Sequence, residues 1–206
     1  MHRTVLRLGL LAAGIAAAAS AGPAQAASSV VVYRDGVRTA ADHHHHVAYR
    51  DSFAVHQLGT VRAAGLRNQA TATSAGCTAD DACRSVALSF QIVTLAGEHV
   101  RLNAVNRGES VNEHCTGCQT LAGAYQFVVQ TRTPVAIDPA SARKLADIHH
   151  RLDTLSASRL SATDLKQRVD GLAAEVRTVL AGLHVPAGKA RPDVTVHRHL
   201  QGWPTR

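Results

Sequence analysis

Two stretches in the middle of the chain alternate bulky apolar residues with small or polar ones. In Val86-Ala87-Leu88-Ser89-Phe90-Gln91-Ile92 the large side chains fall on every second position. Leu121-Ala122-Gly123-Ala124-Tyr125-Gln126-Phe127 follows the same scheme, with glycine at one of the bulky positions. A period of two puts one set of side chains on one face of a β-strand. The β-branched and aromatic content favours strands over the competing helical reading. Because the second face carries Ala, Ser and Gln, it is expected to be lightly covered rather than fully wet. Shorter strands are expected before each long one, near Asn68 to Thr73 and Val100 to Val105.

The two stretches belong to an internal repeat. At an offset of 35 residues Cys83 meets Cys118, Ala87 meets Ala122, Gln91 meets Gln126 and Val93 meets Val128, and Asn68 meets Asn103. Similar pairs fill the register: Ser85 with Thr120, Val86 with Leu121, Phe90 with Tyr125, Ile92 with Phe127. Two copies are too few for a solenoid, so the expected account is a duplicated β unit spanning 68–93 and 103–128.

After Pro134 the period lengthens. Leu145, Ile148, Leu152 and Leu155 recur at helical spacing behind an Asp138-Pro139 start, and Leu165, Val169, Leu172, Val176, Val179 and Leu183 do so behind Ser161-Ala162-Thr163-Asp164. Aspartate or serine at the N-cap and proline in the first turn are helix-start chemistry. Two helices are predicted, about 139–156 and 162–182, forming an αα-hairpin whose apolar seam packs within the domain. Gly182 and Pro186 close the second. Residues 27–65 read as an extended, partly mobile arm, with a short strand at Val30-Val31-Val32-Tyr33, and 186–206 as a basic disordered tail. The ordered domain is placed at 66–185.

The N-terminus changes the compartment. His2, Arg3 and Arg7 precede a run of apolar and glycine residues from Leu8 to Ala19, and Ala24-Gln25-Ala26 ends it with small residues at the positions a signal peptidase reads. The run is shorter than the roughly 20 residues a membrane-spanning helix needs. Residues 1–26 are therefore expected to be a signal peptide cleaved after Ala26, and the protein to be secreted. The chain has 206 residues with a net charge of +7, and 22 basic against 15 acidic residues. Losing Arg3 and Arg7 with the leader leaves 20 − 15 = +5, too mild an imbalance to mark a nucleic-acid binder. An extracellular protein or a cell-envelope component is the expected partner.

Four cysteines in an exported chain point to two disulfides. The close pairs Cys77/Cys83 and Cys115/Cys118 favour local pairing, with a symmetric cross-repeat pattern as the rival. Cys115-Thr116-Gly117-Cys118 also has the spacing of a redox pair or of two zinc ligands that Cys77, Cys83 or His114 would complete. The tract His43-His44-His45-His46 offers neutral imidazoles to Zn²⁺ or another divalent metal, or is simply a solvated run. No cofactor is otherwise indicated. HExxH and GxSxG are absent from the sequence, and Gly182 to Lys189 misses the phosphate-loop spacing by one residue.

From about Asn68 to Leu183 the chain resembles a region of uncharacterised actinobacterial proteins, some named as peptide zinc metalloproteases. The likeness is carried by Ser85 to Val93, by Val111-Asn112-Glu113-His114-Cys115-Thr116-Gly117-Cys118, by Ala124-Tyr125-Gln126-Phe127-Val128-Val129 and by the helical segment from Ala142 to Val179. It implies a shared extracytoplasmic module. Peptidase activity does not carry over, because the zinc-protease motif is missing. The expected fold is α+β, a small antiparallel sheet built from the duplicated unit and followed by the helical hairpin. The expected role is non-catalytic binding or structure outside the cell. The alternative is metal or thiol-redox chemistry at the cysteine and histidine residues.

Overall fold

The structure, a computed structural model, describes residues 29–184 and 193–203. The expected leader, 1–26, lies outside the described residues. Six long strands come first: β1 (Val30–Asp42), β2 (Val47–Thr60), β3 (Ala63–Ala75), β4 (Arg84–Ala96), β5 (Arg101–Glu113) and β6 (Gln119–Thr131). Helices α1 (Pro139–Thr154) and α2 (Ala162–Ala181) follow, and strand β7 (Asp193–Gln201) closes the described chain. The α+β class stands.

Consecutive strands do not pair with each other. Sheet A has the order β1-β3-β5 and sheet B the order β2-β4-β6-β7. All pairs among β1 to β6 are parallel, and only β6 with β7 is antiparallel. This corrects the expected antiparallel sheet. Each short connection carries the chain from one sheet to the other, so the strand that follows enters beside its predecessor two elements back. That coiling path lets parallel strands be joined by loops far shorter than a helical crossover. The result is a three-coil β-solenoid with two strands per coil.

The repeat is physical. Sheet B pairs Arg84 with Gln119, Gln91 with Gln126 and Val93 with Val128, the offset of 35 seen in the sequence. In sheet A the offset is 38, so Asn68 stands beside Asn106, and Asn103 beside Gly65. The Asn68–Asn103 match is thus corrected: the turn between β3 and β4, 76–83, is longer than the turn between β5 and β6, 114–118, so sheet A has the longer repeat. The first coil, β1 with β2, is a third copy that the sequence hides. Its residues 30–60 were expected as an arm, yet they stack on the second coil at offsets of 33 (Val30 beside Ala63) and 37 (Val47 beside Arg84).

Two interfaces bury β4 on both faces. Val86, Leu88, Phe90 and Ile92, with Leu121, Tyr125 and Phe127, meet Leu145, Ile148 and Leu152 of α1 and Leu165, Val169, Leu172, Val176 and Leu180 of α2. Phe53, Phe90 and Tyr125 hold successive coil positions with ring centroids 5.8 and 4.7 Å apart. The opposite face, expected to be lightly covered, is fully buried against sheet A. Ala87, Ala122 and Ala124 pack there on Ala70 and Ala72, and polar side chains hydrogen-bond to one another in the space between the sheets. Asn68 accepts from the Ser89 hydroxyl at 2.6 Å and donates to Asn106 at 2.9 Å.

Both helix starts are capped as their residues dictate. Asp138 accepts from the N–H groups of Ala140 and Ser141, and Ser161 accepts from that of Asp164. Donation from these amide groups holds the Asp138 carboxyl below its usual range. A short 3₁₀ turn, Leu155–Ala157, links the helices, and Arg151 of α1 forms an ion pair with Glu175 of α2. No helix among the described residues is long and apolar enough to cross a membrane.

The segment expected as a disordered tail contains β7, which closes the third coil. It pairs with β6 through its backbone and reaches β5 through side chains: the Gly108 N–H donates to His199 Nδ1 at 2.9 Å and the Ser110 N–H to Gln201 Oε1 at 3.1 Å. A Cβ on Gly108 would lie 2.8 Å from the His199 carbonyl oxygen, so glycine is what permits this approach. Trp203 then turns back and donates Nε1–H to the Ala122 carbonyl at 2.8 Å.

Candidate functional site

The coiling path stacks three turns along one edge of the solenoid. Residues 43–46 join β1 to β2, 76–83 join β3 to β4, and 114–118 join β5 to β6. The histidine tract and all four cysteines, scattered over 76 positions of the sequence, therefore occupy one edge of the molecule. Backbone hydrogen bonds fasten the lower two turns together: Thr116 N–H to the Cys77 carbonyl at 3.2 Å, and Gln119 N–H to the Cys83 carbonyl at 2.9 Å.

Two disulfides close these turns, Cys77–Cys83 and Cys115–Cys118, with Cα–Cα separations of 5.9 and 5.8 Å. Cys77 and Cys83 are buried. The pairing is the local one, within each coil. The four sulfur atoms nevertheless lie within 4.8 Å of one another, and the Cys83 N–H donates to Cys118 Sγ across the coils at 3.3 Å. Gly117, at φ 76°, and His114, at φ 50°, take the left-handed backbone that so tight a turn demands. Reduced to thiolates, the four sulfurs would surround a point that a tetrahedral cation could occupy.

The histidines are held by separate partners rather than gathered. Asp42 Oδ1 accepts from the N–H groups of His44 and His45 at 2.8 Å each, which keeps its carboxyl below the usual range. The rings of His43 and His44 lie against each other, tilted by 46° with centroids 3.8 Å apart. The His46 Nε2 lies 3.0 Å from Asp81 Oδ2 in the neighbouring cysteine loop, without the alignment of a hydrogen bond. Among the described residues, the ligand-bearing group drawn together is Cys77, Cys83, Cys115 and Cys118.

A second constellation escaped the sequence. In a cleft of about 570 Å³ between β2 and α1, lined by Tyr49, Asp51, His149, His150, Asp153 and Ser156, the His149 Nε2 lies 3.1 Å from Asp51 Oδ2. The ring of His149 stacks on Phe53 with centroids 5.0 Å apart. Burial pushes the Asp51 carboxyl up, Asp153 adds to this, and His149 opposes it. The Tyr49 hydroxyl donates to the Leu152 carbonyl at 2.8 Å, and its burial raises the pKa well above the usual phenol value. An Asp–His pair of this kind orients an imidazole for proton transfer. Among the described residues His149 makes no hydrogen bond to Ser156, the hydroxyl-bearing serine of the cleft lining. Ninety-eight positions separate Asp51 from His149, and neither sits in a motif.

No family model matches the chain, and neither a curated protein nor a solved structure shows significant similarity to it.

Proposed function

We propose that the chain works outside the cytoplasmic membrane as a binding or structural module without catalytic activity of its own. The observation that carries this reading is the pair of disulfides stacked on adjacent coils, which staples one edge of a solenoid made of regular, repeated surface. Disulfides persist where the surroundings are oxidising. The leader-like residues 1–26 and the resemblance to an extracytoplasmic module support the same placement. A solenoid offers extended flat faces rather than an enclosed pocket, which suits recognition of a large extracellular protein or an envelope component.

A second reading is favoured by the four sulfurs within 4.8 Å of one another: metal or thiol chemistry at the cysteine edge, with His43–His46 beside it. One experiment separates the two. Export of the full chain from a bacterial host, followed by N-terminal sequencing and alkylation, should give a chain beginning at Ala27 with no free thiol. Four alkylatable cysteines with one zinc per chain, or an unprocessed N-terminus retained in the cytoplasm, would overturn the first reading.

A further inference from the structure

The outer face of sheet A is a regular grid, because parallel register puts every second residue of β1, β3 and β5 in lateral rows. One row holds Arg34 of β1 beside Arg67 of β3. The next holds Gly36, Gln69 and Arg107, and the one after it Arg38, Thr71 and Glu109. With strands about 4.8 Å apart and alternate residues about 6.6 Å apart along each strand, four guanidinium groups surround Gly36 and Gln69. A shallow depression of about 430 Å³ lies there, and its lining includes Arg34, Asp35, Arg38, Arg67, Gln69 and Thr71. Gly36 opens its floor: a Cβ at that position would lie 2.6 Å from the Gln69 carbonyl oxygen.

The charge on this patch is not neutralised from within. Glu109 lies 3.6 Å from Arg107, but Arg34, Arg38 and Arg67 make no ion pair among the described residues. The nearest acid in sequence, Asp35, points to the other side of the strand, where its Oδ2 accepts from His56 and Gln91 at 2.7 and 2.6 Å. Like charges placed directly opposite each other on neighbouring strands cost stability. Arg34 and Arg67 are so placed, exposed and without an acidic partner among the described residues, which leaves their charge available to an anion.

We propose that this face, which presents no aromatic side chain on which bases could stack, binds a base-free phosphate polymer, with Arg34, Arg67 and Arg38 as its anion ligands. Each unit of such a polymer carries a full negative charge on two non-bridging oxygens, whose lone pairs accept from the forks of Arg34 and Arg67 together. Arg38 stands about 13 Å from Arg34 along β1, so it meets a second charged group of the same ligand. The open, flat floor receives a chain lying along the strands. The assignment rests on the reading of the protein as a binding module and names its surface and ligand class.

Binding of linear polyphosphate to the purified, disulfide-bonded protein tests it, by calorimetry at low and moderate salt. The expected result is saturable binding that weakens with salt, at least about tenfold weaker in Arg34→Gln/Arg67→Gln and several-fold weaker in Arg67→Lys, which keeps the charge but loses the fork. Arg143→Gln, on α1 and away from this face, should change affinity less than twofold. Thermal melting confirms the fold of each variant, and removing the Arg34/Arg67 repulsion should not lower it. Absence of binding, or equal binding by the double variant, overturns the proposal. Equal affinity for polygalacturonate overturns the choice of phosphate, and tighter binding of single-stranded DNA through the same arginines overturns it in favour of a nucleic acid. A chain processed at Ala27 without free thiols that binds no polyphosphate would leave the module reading standing and this surface refuted.

Discussion

Gln91 is the pivot of a polar ladder that runs through all three coils, and replacing it with leucine tests whether that ladder sets the inter-sheet packing. Its Nε2 donates to Asp35 Oδ2 at 2.6 Å and to the Arg67 carbonyl at 3.1 Å, both in sheet A. Its Oε1 accepts from Gln126 Nε2 of the next coil at 2.7 Å. Leucine fills nearly the same volume, so the loss is in hydrogen bonding rather than packing. A hydrogen bond to a charged acceptor contributes about 1.5–3 kcal/mol, and leaving the buried Gln126 amide without its main acceptor costs about 1–3 kcal/mol more. Gln91→Leu should therefore destabilise by about 3–5 kcal/mol. In Gln126→Leu the loss is smaller, because that change also removes Gln126 Oε1, a buried atom with no partner. In the Gln91→Leu background it should be neutral or stabilising, since the orphaned amide disappears with it. The double variant should thus cost about 1–3 kcal/mol less than the sum of the singles. Urea unfolding of the four oxidised proteins measures the cycle. Additivity within about 0.5 kcal/mol would refute the coupled ladder.

Three further outcomes follow from other parts of the fold. Leu172, buried between α2 and sheet B, should lose about 2–5 kcal/mol on truncation to alanine. Glu175→Ala, which breaks only an exposed ion pair with Arg151, should lose less than about 1 kcal/mol in the same denaturant titration. Reducing both disulfides should lower stability by about 2 kcal/mol per bridge, given their short loops, seen as a fall in melting temperature with added reductant. Asp170 accepts from Tyr125, Lys166 and Arg198 at 2.9, 3.1 and 2.8 Å. Burial raises its pKa, but these three partners outweigh burial and hold it below the usual range. Its carboxylate therefore stabilises the fold fully above about pH 4. That contribution fades as pH falls through the lowered native value, so the deficit of Asp170→Asn should be present at neutral pH and vanish in acid melts.

Legibility followed the distance between the residues concerned. The strand pattern of 86–92 and 121–127, the caps at Asp138 and Ser161, and the short-range pairing of the cysteines are properties of neighbouring residues, and each appears where the sequence puts it. The repeat at 35 also survived, because sheet B stacks its coils in that register. The first coil did not show, since β1 and β2 lie at the open end of the stack. Their side chains there need not match the buried ladders of β4 and β6. The charge and prolines of the last twenty residues disguised β7, whose reason to form is the free edge of β6.

What the sequence by itself determined is therefore the set of elements and the local chemistry: long strands with one bulky and one small face, two capped helices, two close cysteine pairs. Only the tertiary structure decided how those elements meet. The small face of Ala, Ser and Gln fits equally well a half-wet antiparallel sheet or the tight interior between two parallel sheets, and a period of two cannot distinguish them. Once the chain coils, lateral register brings together residues that no local pattern connects. Four sulfurs meet at one edge, Asp51 faces His149 across a cleft, and Arg34 stands beside Arg67 on an open face. The physical reason is that side-chain alternation is fixed by the strand itself, whereas a lateral neighbour is fixed by the length of chain needed to complete one coil.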